Sequence, residues 1–311
     1  MIDLSQLSPM MQHYMETKKE YPDCVLFYRL GDFYEMFFDD ALTVSKELEI
    51  TLTGKDCGLS ERAPMCGVPF HALDSYLYRL VQKGYKVAIA EQMEDPRQAK
   101  GLVKREVIRV VTPGTITSSQ VLDETKNNYL MGIVYMDGIY GISTADISTG
   151  DFMVTEVDSD RELFDEINKF SPSEIICNNA FYMSGVDMDE LKNRYQVVIS
   201  ALDSRFFGEE SCRRILMEHF KVGALVGLGL EDYATGIIAA GAVMQYIYET
   251  QKSTLEHITT ITPYSTGQYM VIDTSTRRNL ELVETMREKQ KRGTLLWVLD
   301  KTKTAMGARL L

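Results

Sequence analysis

Gly31-Asp32-Phe33-Tyr34-Glu35 decides how this chain is read. It follows an apolar run, Cys24-Val25-Leu26-Phe27-Tyr28-Arg29-Leu30, and leads into a segment of helical periodicity reaching about Leu48. The apolar stripe of that segment is best drawn through Tyr34, Phe37, Phe38, Ala41, Leu42, Ser45 and Leu48. At about 100° per residue, Phe33 falls at the edge of the stripe and Glu35 on its far flank. Two readings follow. In the first, Phe33 is a core aromatic, and Asp32 with Glu35 forms an N-cap and capping box. In the second, Phe33 projects past the helix end as an aromatic wedge and Glu35 is its hydrogen-bonding companion, both aimed at a nucleobase. Periodicity alone favours the first, since edge aromatics are common.

Working outward, Ser8-Pro9 has the form of an N-cap with proline at N1, opening a helix to about Glu20. Glu49-Ile-Thr-Leu-Thr53 is β-branched and predicts a strand, and Gly54 to Ala63 is polar and predicts a loop. In Pro64-Met-Cys-Gly-Val-Pro-Phe-His71, two prolines and a glycine fix the backbone around an exposed Met65. His71 to Lys83 is helical in period, with Gly84 as its C-terminal cap. Tyr85–Glu91 and Glu106–Thr112 predict strands. A mixed α/β domain over 1–115 follows, and Thr115 to Asn128 reads as a linker.

From Tyr129 the pattern changes. Strands are predicted at 129–136, 139–146 and 151–157, the first two joined by Asp137-Gly138, a strong hairpin signal. Helix and strand then alternate: helix 160–170, strand 174–177, helix 187–194, strand 196–200, helix 209–220, and a long helix over about 232–252. Three antiparallel strands followed by alternating α and β is the order of an RNase H-like fold. After a connector at 253–267, Tyr269–Ile272 is strand-like, and Thr274/Ser275 cap a helix from Thr276 to about Lys291. An apolar period still runs at Leu311, which suggests a cut inside a larger protein.

Composition bounds the function. The 311 residues carry 45% apolar and 25% charged residues, as soluble globular proteins do. No signal peptide opens the chain, and no apolar stretch is long enough to span a bilayer. Five cysteines without a C-x-x-C suggest neither a disulfide framework nor a zinc ribbon, and the four histidines show no H-E-x-x-H; the cytoplasm fits best. The net charge of −12 argues at first against a nucleic-acid binder. Its distribution says more: residues 1–60 carry 5 basic and 11 acidic groups and 128–252 carry 9 and 20, whereas 61–115 carry 9 and 6 and 268–311 carry 9 and 5. The flanking parts can meet phosphate while the middle faces protein or solvent.

With these segments in place, the chain resembles the N-terminal part of the bacterial MutS mismatch-repair family over essentially its whole length. The motifs that carry the resemblance are Ser8-Pro-Met-Met-Gln12, Leu26 to Glu35, Pro64 to His71, Ala88-Ile-Ala-Glu-Gln92 with Asp95-Pro96, Val110 to Thr115, Asp146 to Gly150 and Asp273 to Glu281. The resemblance implies a mismatch-recognition domain at 1–115, a linker at 116–127, an RNase H-like connector domain at 128–252, a connector segment at 253–267, and the start of a helical core and lever domain at 268–311. It implies that Phe33 inserts from the minor groove beside a mispaired or unpaired base and that Glu35 hydrogen-bonds that base. Lys55, Met65 and Arg105 are implied as secondary DNA contacts. Each also has an ordinary reading, as a solvated loop charge, a core filler and a strand-end charge.

The resemblance further implies mismatched duplex DNA as ligand, a MutL-type partner on the connector domain, a homodimeric full-length protein and a monomeric fragment. No G-x-x-x-x-G-K-[ST] occurs, so ATP and Mg²⁺ are expected only in a missing C-terminal domain, and no catalytic or metal-ligating set is expected here. Two alternatives stand beside this. Asp137, Asp146 and Asp151 on an RNase H-like pattern invite a two-metal nuclease reading, and the acidic middle domain fits a pure protein-interaction module.

Overall fold

The computed structural model describes residues 4–94, 101–117, 125–268 and 272–310. They form two compact units: residues 1–121 with 248–253, and residues 122–247 with 254–311. The protein is mixed α/β, with one mixed sheet in each unit.

The first unit runs α1 (Pro9–Glu20), β1 (Cys24–Leu30), β2 (Phe33–Phe37), α2 (Phe38–Leu48), β3 (Thr53–Lys55), β4 (Ala63–Pro69), α3 (Leu73–Gln82), β5 (Lys86–Gln92) and β6 (Arg105–Val111). Its sheet has the order β3-β4-β2-β1-β5-β6, in which only β1 and β5 pair in parallel. One face is covered by α1: Leu7, Met11 and Tyr14 pack with Leu26, Tyr28, Phe37, Ala88, Ala90 and Val110. The Tyr14 ring meets the Tyr28 and Phe37 rings edge-on, at 5.4 and 5.0 Å between centroids. The other face buries Met36, Cys66 and Val68 beneath α2, whose Ala41, Val44 and Leu48 point inward.

Asp40 seals the end of β1 where β2 has left it. Its carboxylate accepts from the Leu26 N–H (3.0 Å), the Tyr14 hydroxyl (3.0 Å) and Lys18 Nζ (2.9 Å). Three donors to one buried carboxylate explain why a charge can lie in this core.

Here the structure corrects the sequence reading. Gly31-Asp32-Phe33-Tyr34-Glu35 opens a strand, not a helix. Gly31 (φ +59°) and Asp32 make the two-residue turn of a β1–β2 hairpin with Leu30 opposite Phe33. Asp32 caps nothing; the helix begins only at Phe38, which sits at φ +53° where the chain breaks from strand to helix. Tyr34 and Met36 alternate inward at period two, then Ala41, Val44 and Leu48 at helical period, and the two stripes run together in the sequence. Glu49 (φ +57°) ends α2, so the strand expected at 49–53 lies instead at Thr53–Lys55. Pro64 to Pro69 belongs to β4, and Met65, expected exposed, is half-buried.

The second unit runs β7 (Tyr129–Met136), β8 (Ile139–Asp146), β9 (Asp151–Val157), α4 (Asp160–Phe170), β10 (Glu174–Cys177), α5 (Asn179–Tyr182), α6 (Met188–Tyr195), β11 (Val198–Ala201), α7 (Glu209–Phe220), α8 (Ala234–Gln251), β12 (Thr262–Pro263), α9 (Thr274–Asn279), α10 (Leu295–Leu299) and α11 (Ala305–Leu310); the last turn of α8 belongs to the first unit. The sheet order is β11-β10-β7-β8-β9-β12, with β7, β8 and β9 antiparallel and β10 and β11 continuing in parallel. That is RNase H-like order. Asp137 (φ +52°) and Gly138 (φ +83°) form the tight turn expected between β7 and β8.

One face of this sheet packs on α4 and α6 through Leu163, Ile167, Phe170 and Leu191. On the other face α8 comes so close that glycine is required. A Cβ on Gly141 would lie 2.4 Å from the Thr235 carbonyl, and one on Gly132 would lie 2.5 Å from a Val243 methyl.

The helix expected over 276–291 ends at Asn279. Leu280, Val283 and Met286 are exposed, and Glu281 and Lys289 sit at positive φ. A helix this short holds only when its apolar face is buried. Residues 118–124 of the expected linker at 116–127 and residues 269–271 of the strand expected at 269–272 fall outside the described residues.

Candidate nucleic-acid interface

Strand pairing fixes which side chains share a face, because residues directly opposite one another project to the same side. Phe33 and Glu35 are two apart on β2, so they project together. Phe33 pairs with Leu30 and Pro69, and Glu35 with Tyr28 and Gly67. Met65 lies opposite Phe37 and Thr53, Lys55 opposite Ala63, and Arg105 opposite Gln92. All five residues singled out in the sequence therefore belong to one face of the sheet, the face that α1 covers at its other end.

Their surroundings differ. Phe33 is 47% exposed at the hairpin tip. The tip is braced from behind, where the Phe70 N–H donates to the Asp32 carbonyl at 2.9 Å. Glu35 is partly buried and ion-paired, with Lys55 Nζ donating to Oε2 at 2.5 Å. The Lys55 ammonium also stands 5.5 Å from the Phe37 ring centroid. Gly67, opposite Glu35, leaves the room for this pair: a Cβ there would lie 3.5 Å from Glu35 Cγ and 3.3 Å from the Tyr34 carbonyl. Met65 packs against the core beneath α1.

Arg105 is placed otherwise than as an open contact. It is only 6% exposed. Its Nε donates to the Arg29 carbonyl (2.8 Å) and Nη1 to the Val103 carbonyl (2.7 Å), and the guanidinium lies 5.1 Å from the Tyr28 ring centroid. Burial pushes the Tyr28 hydroxyl up in pKa and the Arg105 charge opposes the rise. Arg105 thus clamps β6 to the end of β1.

Sequence reasoning missed Arg29 and Phe70. The Arg29 guanidinium lies 4.2 Å from the exposed Phe70 ring, and its Nη1 is 3.5 Å from Glu91. The Tyr34 hydroxyl donates to the same Glu91. Burial first, and then the hydrogen bond to Glu91 and its charge, hold the Tyr34 proton well above the ordinary phenol range. This cluster lies on the opposite face and stiffens the strands that carry the tip. No local signal marks it, since Arg29 and Glu91 are joined only through the β1–β5 pairing.

In the second unit the three aspartates of the nuclease alternative do not all converge: Asp146 and exposed Asp151 stand opposite one another across β8 and β9, and Asp137 lies at the other end of the sheet. Asp137 is in the β7–β8 turn, and Asp146 is at the far end of β8. Seven residues of strand at about 3.4 Å each put roughly 24 Å between them. A two-metal site needs its ligands around ions about 4 Å apart. Asp146 is fully buried, and it accepts from the Asn128 N–H (3.1 Å), the Ser148 N–H (2.8 Å) and the Ser148 hydroxyl (2.7 Å). It is a turn-holding carboxylate. Among the described residues no cluster of His, Cys, Asp and Glu could hold a metal ion, and no helix is long and apolar enough to cross a membrane.

The fold and this face define a multi-domain α/β protein that presents an aromatic hairpin tip on one mixed sheet and carries an RNase H-like unit behind it in sequence. The chain belongs to the MutS family: it matches the family models of MutS domain I over residues 8–120, MutS domain II over 128–259 and MutS domain III over 275–311. It is 64% identical to the DNA mismatch repair protein MutS of Lachnoclostridium phytofermentans over 99% of this chain and 33% of that protein. The MutS proteins of Acetivibrio thermocellus and Clostridium tetani are 54% and 49% identical, over 99% and 98% of this chain and 35% and 34% of theirs. The chain spans about a third of the length of these relatives.

Proposed function

We propose that this chain serves DNA mismatch repair by reading mispaired or unpaired bases, with Phe33 as the minor-groove wedge and Glu35 as the base contact. The observation that carries the reading is the exposure of Phe33 on the same sheet face as Glu35, at a tip braced by backbone hydrogen bonding. Unstacking a base step costs on the order of a few kcal/mol. A mispaired or extruded base has already lost stacking and pairing, so insertion costs less there. Stacking on an aromatic ring returns roughly 1–3 kcal/mol per base and tolerates any base. Such a device senses deformability and accepts many different errors.

Of the secondary contacts, Lys55 acts through Glu35, Met65 supports the sheet behind the wedge, and Arg105 positions β1. The direct test places 2-aminopurine beside a one-base bulge. Insertion of Phe33 raises or quenches its fluorescence, and Phe33→Ala abolishes the change.

For the second unit we propose docking of a MutL-type partner. The favouring observation is a group of exposed apolar side chains, Met136 and Ile139 at the β7–β8 turn with Tyr182 and Met183 at the end of α5. Asn178 ties α5 to β7 through its hydrogen bonds to the Tyr135 N–H and carbonyl. ATP hydrolysis with Mg²⁺ and homodimerisation belong, in this reading, to parts of the longer relatives that this chain does not span.

A further inference from the structure

A carboxylate facing a duplex works against binding, because the phosphates repel it. The ion pair described above alters that balance. Glu35 uses Oε2 for Lys55, at 2.5 Å, while Oε1 has no hydrogen bond among the described residues. The Lys55 side chain leaves β3, passes the Phe37 ring and reaches β2 across the strand between them. Gly67 places no side chain in its way. The pair has about no net charge, is partly dehydrated, and lies on the Phe33 face.

We propose that Lys55 is a positioning residue for Glu35. Its ammonium cancels the carboxylate charge while a duplex approaches, and it fixes Oε2 so that Oε1 is left for a base N–H. The ion pair then stays closed when the base is read. At a paired base no free N–H meets Oε1, and the dehydrated carboxylate gains nothing. This rests on the reading of Phe33 and Glu35 given above, and it assigns Lys55 an action through Glu35 instead of on phosphate.

A double-mutant cycle separates the two. Affinity for a one-base-bulge duplex is measured for the chain, Lys55→Met, Lys55→Arg, Glu35→Gln, and Lys55→Met with Glu35→Gln. Lys55→Met weakens binding about tenfold, Lys55→Arg restores most of it, and the Lys55→Met loss disappears when residue 35 is Gln. An equal loss in both backgrounds overturns the proposal, since Lys55 would then contact DNA on its own. A DNA-free readout accompanies it: the Lys55 ammonium NMR signal is protected from solvent exchange and loses that protection in Glu35→Gln. An unprotected signal in the unmutated chain also overturns the proposal. If the chain fails to prefer the bulge over a matched duplex, the mismatch reading falls, and the ammonium signal still decides whether Lys55 holds Glu35.

Discussion

Phe33 and Glu35 leave the same face of β2 two residues apart, one exposed and the other held by Lys55. In a helix the same spacing would have pointed them about 200° apart. A strand delivers both to one target, and the hairpin turn at Gly31-Asp32 puts the aromatic at the outermost position.

Gly67 sets the room for the carboxylate. Gly67→Val puts a branched side chain against the Tyr34 carbonyl and Glu35 Cγ, which already stand at 3.3 and 3.5 Å from an ideal Cβ. Overpacking of this kind costs typically about 1–3 kcal/mol. Chemical denaturation should show that loss, and preference for a bulged over a matched duplex should fall with it. An unchanged preference would mean that β4 does not position Glu35.

Gly141 tests the close approach of sheet and helix in the second unit. Gly141→Ala sets a methyl 2.4 Å from the Thr235 carbonyl carbon and oxygen, backbone atoms that cannot turn aside. Destabilisation of about 3 kcal/mol or more is expected, at the upper end of single substitutions. Thermal unfolding of the variant measures it, and a loss under 1 kcal/mol would contradict the packing described.

Stability should fall at alkaline pH. Burial, and then the nearby Asp40 charge, push the Cys66 thiol up to about 12 from an ordinary 9.0. The folded-state value is raised, so the unfolded chain gives up its proton first. The contribution is fully present below about pH 9 and is lost as pH rises from 9 toward 12, at up to about 1.4 kcal/mol per pH unit for one such group. Cys66→Ala lowers stability at neutral pH but flattens this slope, as denaturation at pH 7, 9 and 10.5 would show.

Asp146→Asn keeps the acceptor atom but loses the charge that draws three donors. About 1–3 kcal/mol of stability should go, and DNA binding should be the same with Mg²⁺ or with EDTA. Mg²⁺-dependent strand cleavage removed by this substitution would revive the nuclease alternative.

The second unit was largely legible in the sequence. The predicted bounds of β7, β8, β9, α4, β10 and α7 agree with those observed. Asp137-Gly138 fixes one register, and the strands are bounded by turn residues. The first unit was harder because a strand runs straight into a helix. Tyr34, Phe37, Phe38 and Ala41 imitate one helical stripe, and only the left-handed backbone at Phe38 divides them. Pro64 and Pro69 gave no strand signal, yet they stand near the ends of β4 with Met65 to Val68 paired between them. The Glu35–Lys55 pair had no local signal, since the two are twenty residues apart and meet across β4. Phe33 was placed by resemblance, and periodicity had pointed elsewhere.

The central claim is tested most directly by the affinity ratio between a one-base-bulge duplex and its matched counterpart, measured for the chain and for Phe33→Ala. Phe33 is exposed, so its loss should change stability by less than about 1 kcal/mol. The account predicts preference for the bulge in the chain and a ratio near one in Phe33→Ala, with weak binding to both duplexes retained. A ratio unchanged by Phe33→Ala would contradict it.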